Sequence, residues 1–297
     1  MSAIDPSATD AASATDTGQT RANNQDSCGE FSDADGARLF VVADGMGGHS
    51  GGAVASRLAV ETIGKVFRTS SEGPEGTLRA AFESANERIF ERAQETEELN
   101  GMGTTGVALL IGESEHLWLA HVGDSRAYRF RDGRLERLTT DHSLVAAMQQ
   151  RGLITAEEAA VHPERNVILR SLGVQSRVEV DVTPVASEPG DRYLLCSDGL
   201  SSVVPEPEIA AVLARNRPAA AASLLVDMAN QRGGPDNVTV QVIQIPGGAR
   251  EEVSAPRVRA ATALAGRRLS RMRRIALAAG LVGALLLAFV LWMFATH

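Results

Sequence analysis

Five carboxylates stand where apolar segments begin or end. Asp44 closes the run Leu39-Phe40-Val41-Val42-Ala43, Asp124 follows LWLAHVG, Asp198 follows RYLLCS, Asp236 precedes NVTVQV, and Asp26 ends RANNQD. A single Asp-Gly pair implies only a turn. Five acids at the edges of apolar strands imply a shared polar mouth over a sheeted core, because an acid there needs a cation or hydrogen bonds. With no His/Cys cluster beside them, hard oxygen donors suit Mg2+ or Mn2+ rather than Zn2+. Two such ions about 3.5–4 Å apart hold a bridging water, lower its pKa toward neutrality and clamp a phosphoryl group for in-line attack. In VVADGMGGHSGG (41–52) the acid is the ligand, and the glycines clear space for backbone carbonyls and water.

The elements that must position these acids are legible from periodicity. Val54, Leu58, Ile63, Val66 and Phe67 predict a helix over 52–67, and Leu78, Phe82, Ala85, Ile89 and Ala93 predict another over 75–97. Strands are expected near 28–32, 106–112, 116–124, 126–130, 191–198 and 237–245, and helices near 207–216 and 218–231. Pro218 before the last helix and Gly233-Gly234 after it support its bounds. Residues 142–165 read as helical and loop-like. Strands in runs and helices in adjacent pairs predict an α+β class with mainly antiparallel sheets, not a βαβ repeat. Asp33-x-Asp35-Gly36 has part of a calcium-loop pattern but lacks the remaining ligands and the distal Glu, so a hairpin turn is expected. Ser125 and Ser197 have no evident base partner, which argues against a serine nucleophile. Structural roles are expected for His121 and His142.

Charge divides the 297-residue chain. The whole carries −8, and seven arginines with no acid follow Glu252, so the first 252 residues hold −15. So acidic a body argues against a nucleic-acid surface. Cys28 and Cys196 sit in no ligand spacing and read as free thiols in a reducing compartment. Residues 1–16, polar and Ala/Ser/Thr-rich, are expected to be disordered, and 17–246 to form one domain. Residues 247–274 form a basic juxtamembrane linker, either a helix lying on anionic lipid or a flexible tether. Residues 275–295 are an uncharged run of 21 positions. At ~1.5 Å per residue they span roughly 31 Å, a membrane's hydrocarbon thickness. The arginines all precede the span, so the positive-inside rule places the body in the cytoplasm, on a single-pass inner-membrane protein.

The ordered series Arg21-x-x-Asn24-Gln25-Asp26, Ala43-Asp44-Gly45-Met46-Gly47-Gly48-His49, Gly103-Thr104-Thr105, Val122-Gly123-Asp124-Ser125-Arg126, Thr140-Asp141-His142-Ser143, Cys196-Ser197-Asp198-Gly199-Leu200 and Gly234-Pro235-Asp236-Asn237-Val238-Thr239 resembles the protein phosphatase 2C family, the metal-dependent Ser/Thr phosphatases, in its bacterial form. The resemblance spans roughly residues 17–246. It implies a four-layer α-β-β-α sandwich of two antiparallel sheets with the metals at one end. It further implies hydrolysis of phosphoserine and phosphothreonine in protein substrates, in opposition to a Ser/Thr kinase, with two tightly held Mn2+ or Mg2+ ions and a third, weaker one. On this pattern Asp44 bridges both ions, the Gly45 carbonyl contacts one, and Asp198 and Asp236 hold the other. Asp26 acts through water and Asp124 helps bind the third ion. Arg21 grips the substrate phosphate, a task its planar fork suits. Asn237 is an outer group that supports a ligand or holds water, and residues near 142–170 form a mobile flap that shapes substrate choice.

Two positions depart from the family pattern. Gln25 stands where some members carry an acid. Met46 stands where animal members carry a histidine thought to protonate the leaving alkoxide. Methionine has no proton to give, which leaves His49 or water at the ions as the source, with a packing or capping role the alternative for His49. A non-catalytic scaffold on the same fold is the competing reading; loss of the metal acids would mark it, and all are present.

Overall fold

The computed structural model describes residues 4–48, 50–112 and 116–247. His49, nearly all of the expected linker and the apolar run at 275–295 lie outside the described residues. Among those described, no helix is long and apolar enough to cross a membrane.

The chain opens with β1 (Asp10–Asp16), β2 (Asp26–Ser32) and β3 (Arg38–Met46), followed by the helices α1 (Gly51–Thr69) and α2 (Pro74–Glu95). Then come β4 (Gly103–Thr104), β5 (Gly106–Ile111), β6 (His116–Val122), β7 (Arg126–Arg131) and β8 (Arg134–Arg137). Two short helices, α3 (Leu144–Gln150) and α4 (Ala156–Ala160), precede β9 (Asp181–Ala186) and β10 (Arg192–Cys196). The one-turn α5 (Asp198–Ser201), then α6 (Glu206–Arg215), α7 (Pro218–Gln231) and β11 (Val238–Gln244) complete the order.

Two sheets result, β1-β11-β10-β7-β8 and β2-β3-β5-β6-β9, with β4 paired to β3. All pairings are antiparallel. Strand periodicity divides β3 between two layers. Leu39, Val41 and Ala43 pack with α1 and α2, whereas Phe40 and Val42 join Tyr193, Leu195 and Ile243 between the sheets. In β10, Leu194 and Cys196 face α6 and α7 while Tyr193 and Leu195 face the opposing sheet. A strand buried on both faces reads as an unbroken apolar run, and for that reason the strands before Asp44 and Asp198 showed no alternation. The expected α-β-β-α layering is what folds. The hairpin turn is there too, with Asp33 Oδ1 accepting from the N–H groups of Asp35 (3.0 Å) and Ala37 (2.8 Å). Cys28 and Cys196 are free thiols.

The N-terminus corrects the sequence reading. Disorder was expected across 1–16, but β1 pairs with β11 along its whole length, from Asp10↔Gln244 to Asp16↔Val238. Its small side chains add little to the core, with only Ala11 and Ala14 packing against it. The main-chain ladder to a central strand holds it, and composition does not register that contribution.

Candidate active site

Antiparallel pairing brings the start of β2 and the end of β3 to one end of the sandwich. Asp26 opens β2, and the register sets it directly opposite Asp44. Side chains so opposed have Cβ atoms about 4.5–5.5 Å apart, where like charges repel. Asp198 arrives from the other sheet as the first residue of α5, its carboxyl within hydrogen-bonding reach of Asp44. Asp236 precedes β11, and Asp124 lies in the turn between β6 and β7. Asp26 is buried and the other four are half-buried. The structure thus gathers all five acids at one mouth.

Burial and crowding disfavour ionisation at Asp26, Asp44, Asp124 and Asp198. Burial, then Asp26, Asp198 and Asp124, hold the Asp44 carboxyl well above its ordinary range. Burial and then Asp236 raise Asp198. Burial, despite hydrogen bonds from Ser197 and Thr239, lifts Asp26 to about 6, and burial with Asp198 and Asp141 lifts Asp124 to about 7. Asp26 Oδ1 is buried with no hydrogen-bond partner. An oxygen-only donor set, two carboxyls in mutual contact and an orphaned carboxylate oxygen together fit hard divalent cations. Arg21 Nη2 reaches Asp236 Oδ2 at 2.7 Å, so the expected phosphate grip stands at the rim of the same mouth.

The hydrogen-bond partners of several motif residues escaped the sequence reading. Thr105 Oγ1 accepts from Asp44 N–H (3.0 Å), while Thr105 N–H (2.9 Å) and Thr104 Oγ1 (2.8 Å) donate to Asp44 O. The Gly103-Thr104-Thr105 motif therefore fixes the backbone of the central acid. Ser197 Oγ donates to Asp26 Oδ2 (2.8 Å), a bond between the sheets, and accepts from Thr239 N–H (3.0 Å). Ser197 does have a carboxylate partner, but it is fully buried, and the exclusion of a serine nucleophile stands. Asn237 Oδ1 accepts from Gln25 N–H (2.8 Å), and Nδ2 donates to Thr17 O (2.8 Å) and Asn23 O (3.0 Å). Its amide fastens the loop that carries Arg21, and its backbone N–H donates to Asp236 Oδ1 (2.8 Å), in keeping with the expected supporting role.

The glycine directly after Asp44 has a steric cause. A Cβ on Gly45 would lie 2.1 Å from Gly52 O, where the end of β3 meets the start of α1. We expect Gly45→Ala to destabilise the fold by about 1–3 kcal/mol or more, the usual cost of overpacking. Thermal unfolding checks it; an unchanged Tm would show that this approach is not tight.

Beside the acids lies a cavity of about 350 Å³. Asp124, Asp198, Arg126 and Arg137 line one wall; Ser143 and Arg165, from the segment carrying α3 and α4, line the other.

Comparison with known proteins decides the family. The family model described as protein phosphatase 2C matches residues 16–231. The chain belongs to the protein phosphatase 2C family. A serine/threonine phosphatase (stp) of Listeria welshimeri is 40% identical over 236 residues, covering 77% of this chain and 93% of the relative. The serine/threonine protein phosphatase PstP of Mycobacterium tuberculosis is 41% identical over 238 residues, covering 79% of this chain and 44% of the relative. The crystal structure of a PstP catalytic domain in complex with two manganese ions superposes with a TM-score of 0.70 at 37% identity, covering 80% of this chain and 98% of that one. The phosphatase described here is thus a metal-dependent phosphoprotein phosphatase with a binuclear Mn2+/Mg2+ centre.

Proposed function

We propose that this phosphatase hydrolyses phosphoserine and phosphothreonine in cytoplasmic proteins while anchored to the inner membrane by residues 275–295, and that it opposes a Ser/Thr kinase. The convergence of Asp26, Asp44, Asp124, Asp198 and Asp236 on one mouth, with Arg21 at its rim, carries the catalytic part. Asp44, Gly45 O, Asp198 and Asp236 are the ligands we assign to the two principal ions, with Asp26 acting through water and Asp124 on a third. Bound there, such ions lower the pKa of water toward neutrality and polarise the phosphoryl oxygens. Arg21 orients the phosphate with a guanidinium fork, and Asn237 keeps the Arg21 loop in place. Met46 offers no proton to the leaving alkoxide.

Phosphate release from a phosphothreonine peptide by the full chain in detergent, with Mn2+ and then with EDTA, tests the reaction. Metal-dependent release is expected. No release from folded, metal-loaded protein would favour the scaffold reading.

The anchor is supported by sequence: an uncharged 21-residue run preceded by seven arginines. In this reading 17–246 is the catalytic domain and 247–274 the basic linker. Fractionation should place the full chain in membranes and a chain ending at Ala255 in the soluble pool. A soluble full chain would remove the anchor from the account.

A further inference from the structure

A second polar cluster lies outside the acid mouth. His121 on β6 is the register partner of Asp181 on β9. His142 stacks on His121, with ring centroids 4.6 Å apart and planes at 21°. Arg170 Nη1 donates to Asp181 Oδ1 at 2.7 Å, His142 Nε2 lies 3.4 Å from Asp181 Oδ2, and Arg170 Nη2 pairs with Glu179 Oε2 at 3.1 Å.

The two imidazoles and the carboxylate lie within 4.8 Å of one another, a set that invites a metal reading. The hydrogen bonds argue otherwise. Gly123 N–H donates to His142 Nδ1 at 3.1 Å, so the neutral ring keeps its proton on Nε2 and presents N–H, not a lone pair, toward Asp181. Burial, with His121 and Arg170 nearby, pushes His142 down to about 4, which keeps that ring neutral near pH 7. Arg170 Nη1 also lies 3.2 Å from this nitrogen, where a ligated cation would sit. The cluster is complete with Arg170 as its cation.

Its place in the chain gives it a role. Residues 143–169 leave and return through one narrow neck. Leu169 N–H donates to His142 O (2.7 Å), Leu144 N–H to Val167 O (2.9 Å), and Ser143 bridges Ile168. His142 and Arg170 are the residues just outside that neck, one on each side, and both close on Asp181. His142 N–H is itself tied to Gly123 O at 2.9 Å, next to Asp124. The segment they bracket supplies the outer wall of the cavity over Asp124 and Asp198. Of the six exposed large apolar side chains among the described residues, Leu153, Val161, Val167 and Leu169 lie on this segment and Val174 just after it. None of these five lines the cavity itself; exposed apolar side chains on the segment that walls it suit contact with a polypeptide rather than with a small phosphate ester.

We infer that His142, Arg170 and Asp181 form a clamp that positions residues 143–169, the segment that the family resemblance expects to shape substrate choice. This rests on the phosphatase reading above. The three are positioning residues and touch no reacting atom; the acids do the chemistry whether or not the wall is set.

The test compares two substrates on the full chain in detergent: a phosphothreonine peptide long enough to cross the cavity, and p-nitrophenyl phosphate. Arg170→Gln and Asp181→Asn should each raise KM for the peptide roughly tenfold, as loss of a charged hydrogen bond predicts. Peptide kcat and aryl phosphate turnover should stay unchanged, and Arg170→Lys should recover part of the KM. Equal losses on both substrates, or no change on either, would overturn the clamp. Limited trypsin digestion reads the same device without catalysis. Faster cleavage after Arg151 and Arg165 in Arg170→Gln and Asp181→Asn supports it, and wild-type rates overturn it. Wild-type protein that fails on every phosphopeptide would sink the phosphatase reading, while digestion still decides the clamp.

Discussion

Asp44→Asn should cut metal-dependent phosphate release by more than about a hundredfold and, in the absence of metal, should raise the melting temperature. Both effects come from one feature. Asp44 faces Asp26 across the β2–β3 ladder and touches Asp198 across the mouth, and with Asp124 it has three acidic neighbours. As a central ligand its loss should exceed the ten- to hundredfold that removal of a metal's outer partners costs, so turnover should fall by more than about a hundredfold. In the empty mouth the same carboxyl must either carry a proton or repel its neighbours, and a neutral amide of similar size removes that conflict. Stability exchanged for function is common at such sites. Phosphate release and thermal unfolding on the same preparation check both halves. A variant with wild-type turnover would remove Asp44 from the centre, and a lower metal-free Tm would contradict the electrostatic account.

The second large effect follows from the same crowding. Without divalent metal, the protein should melt at progressively lower temperature as pH rises from about 4 to about 8. The unfolded chain releases these protons near the ordinary aspartate value of 3.8, but the native state keeps them until about 6 at Asp26 and about 7 at Asp124. Between those values the native state binds more protons than the unfolded one, so the slope of stability with pH is negative. The stabilisation is fully present below pH 3.8 and lost through the folded values. Mn2+ should reverse the trend, because binding replaces the protons. At a hundred times its dissociation constant a single ion adds about 2.7 kcal/mol, and on a domain of this size that is roughly 5–10 °C. Melting curves across pH, with EDTA and with Mn2+, check the sign. A metal-free Tm that climbs from pH 5 to 8 would contradict it.

The acids were legible because each sits at a discontinuity, where a run of apolar residues stops at a charge that needs a partner. The layers were legible because strands buried on both faces leave unbroken apolar runs. What escaped was pairing between distant positions. Nothing in the sequence near Ser197 announces a hydrogen bond to Asp26, which is 171 positions away. Asn237 is likewise 212 positions from the backbone N–H of Gln25. The opposition of Asp26 and Asp44 needs the register of β2 on β3, which side-chain patterning alone does not set. β1 escaped for another reason: its stability lies in main-chain bonds to β11, and Ala and Ser there look like those of an unstructured tail. His121 and His142, expected to be structural, are so in the sense that they belong to the cluster at the neck of residues 143–169.

The central claim is that these particular acids hold the catalytic ions. Anomalous diffraction at the manganese edge, from crystals grown with Mn2+, tests it most directly. The account predicts two strong peaks sharing Asp44, one beside Gly45 O and one beside Asp198 and Asp236. Manganese peaks absent from that mouth, or found only at His121, His142 and Asp181, would contradict it.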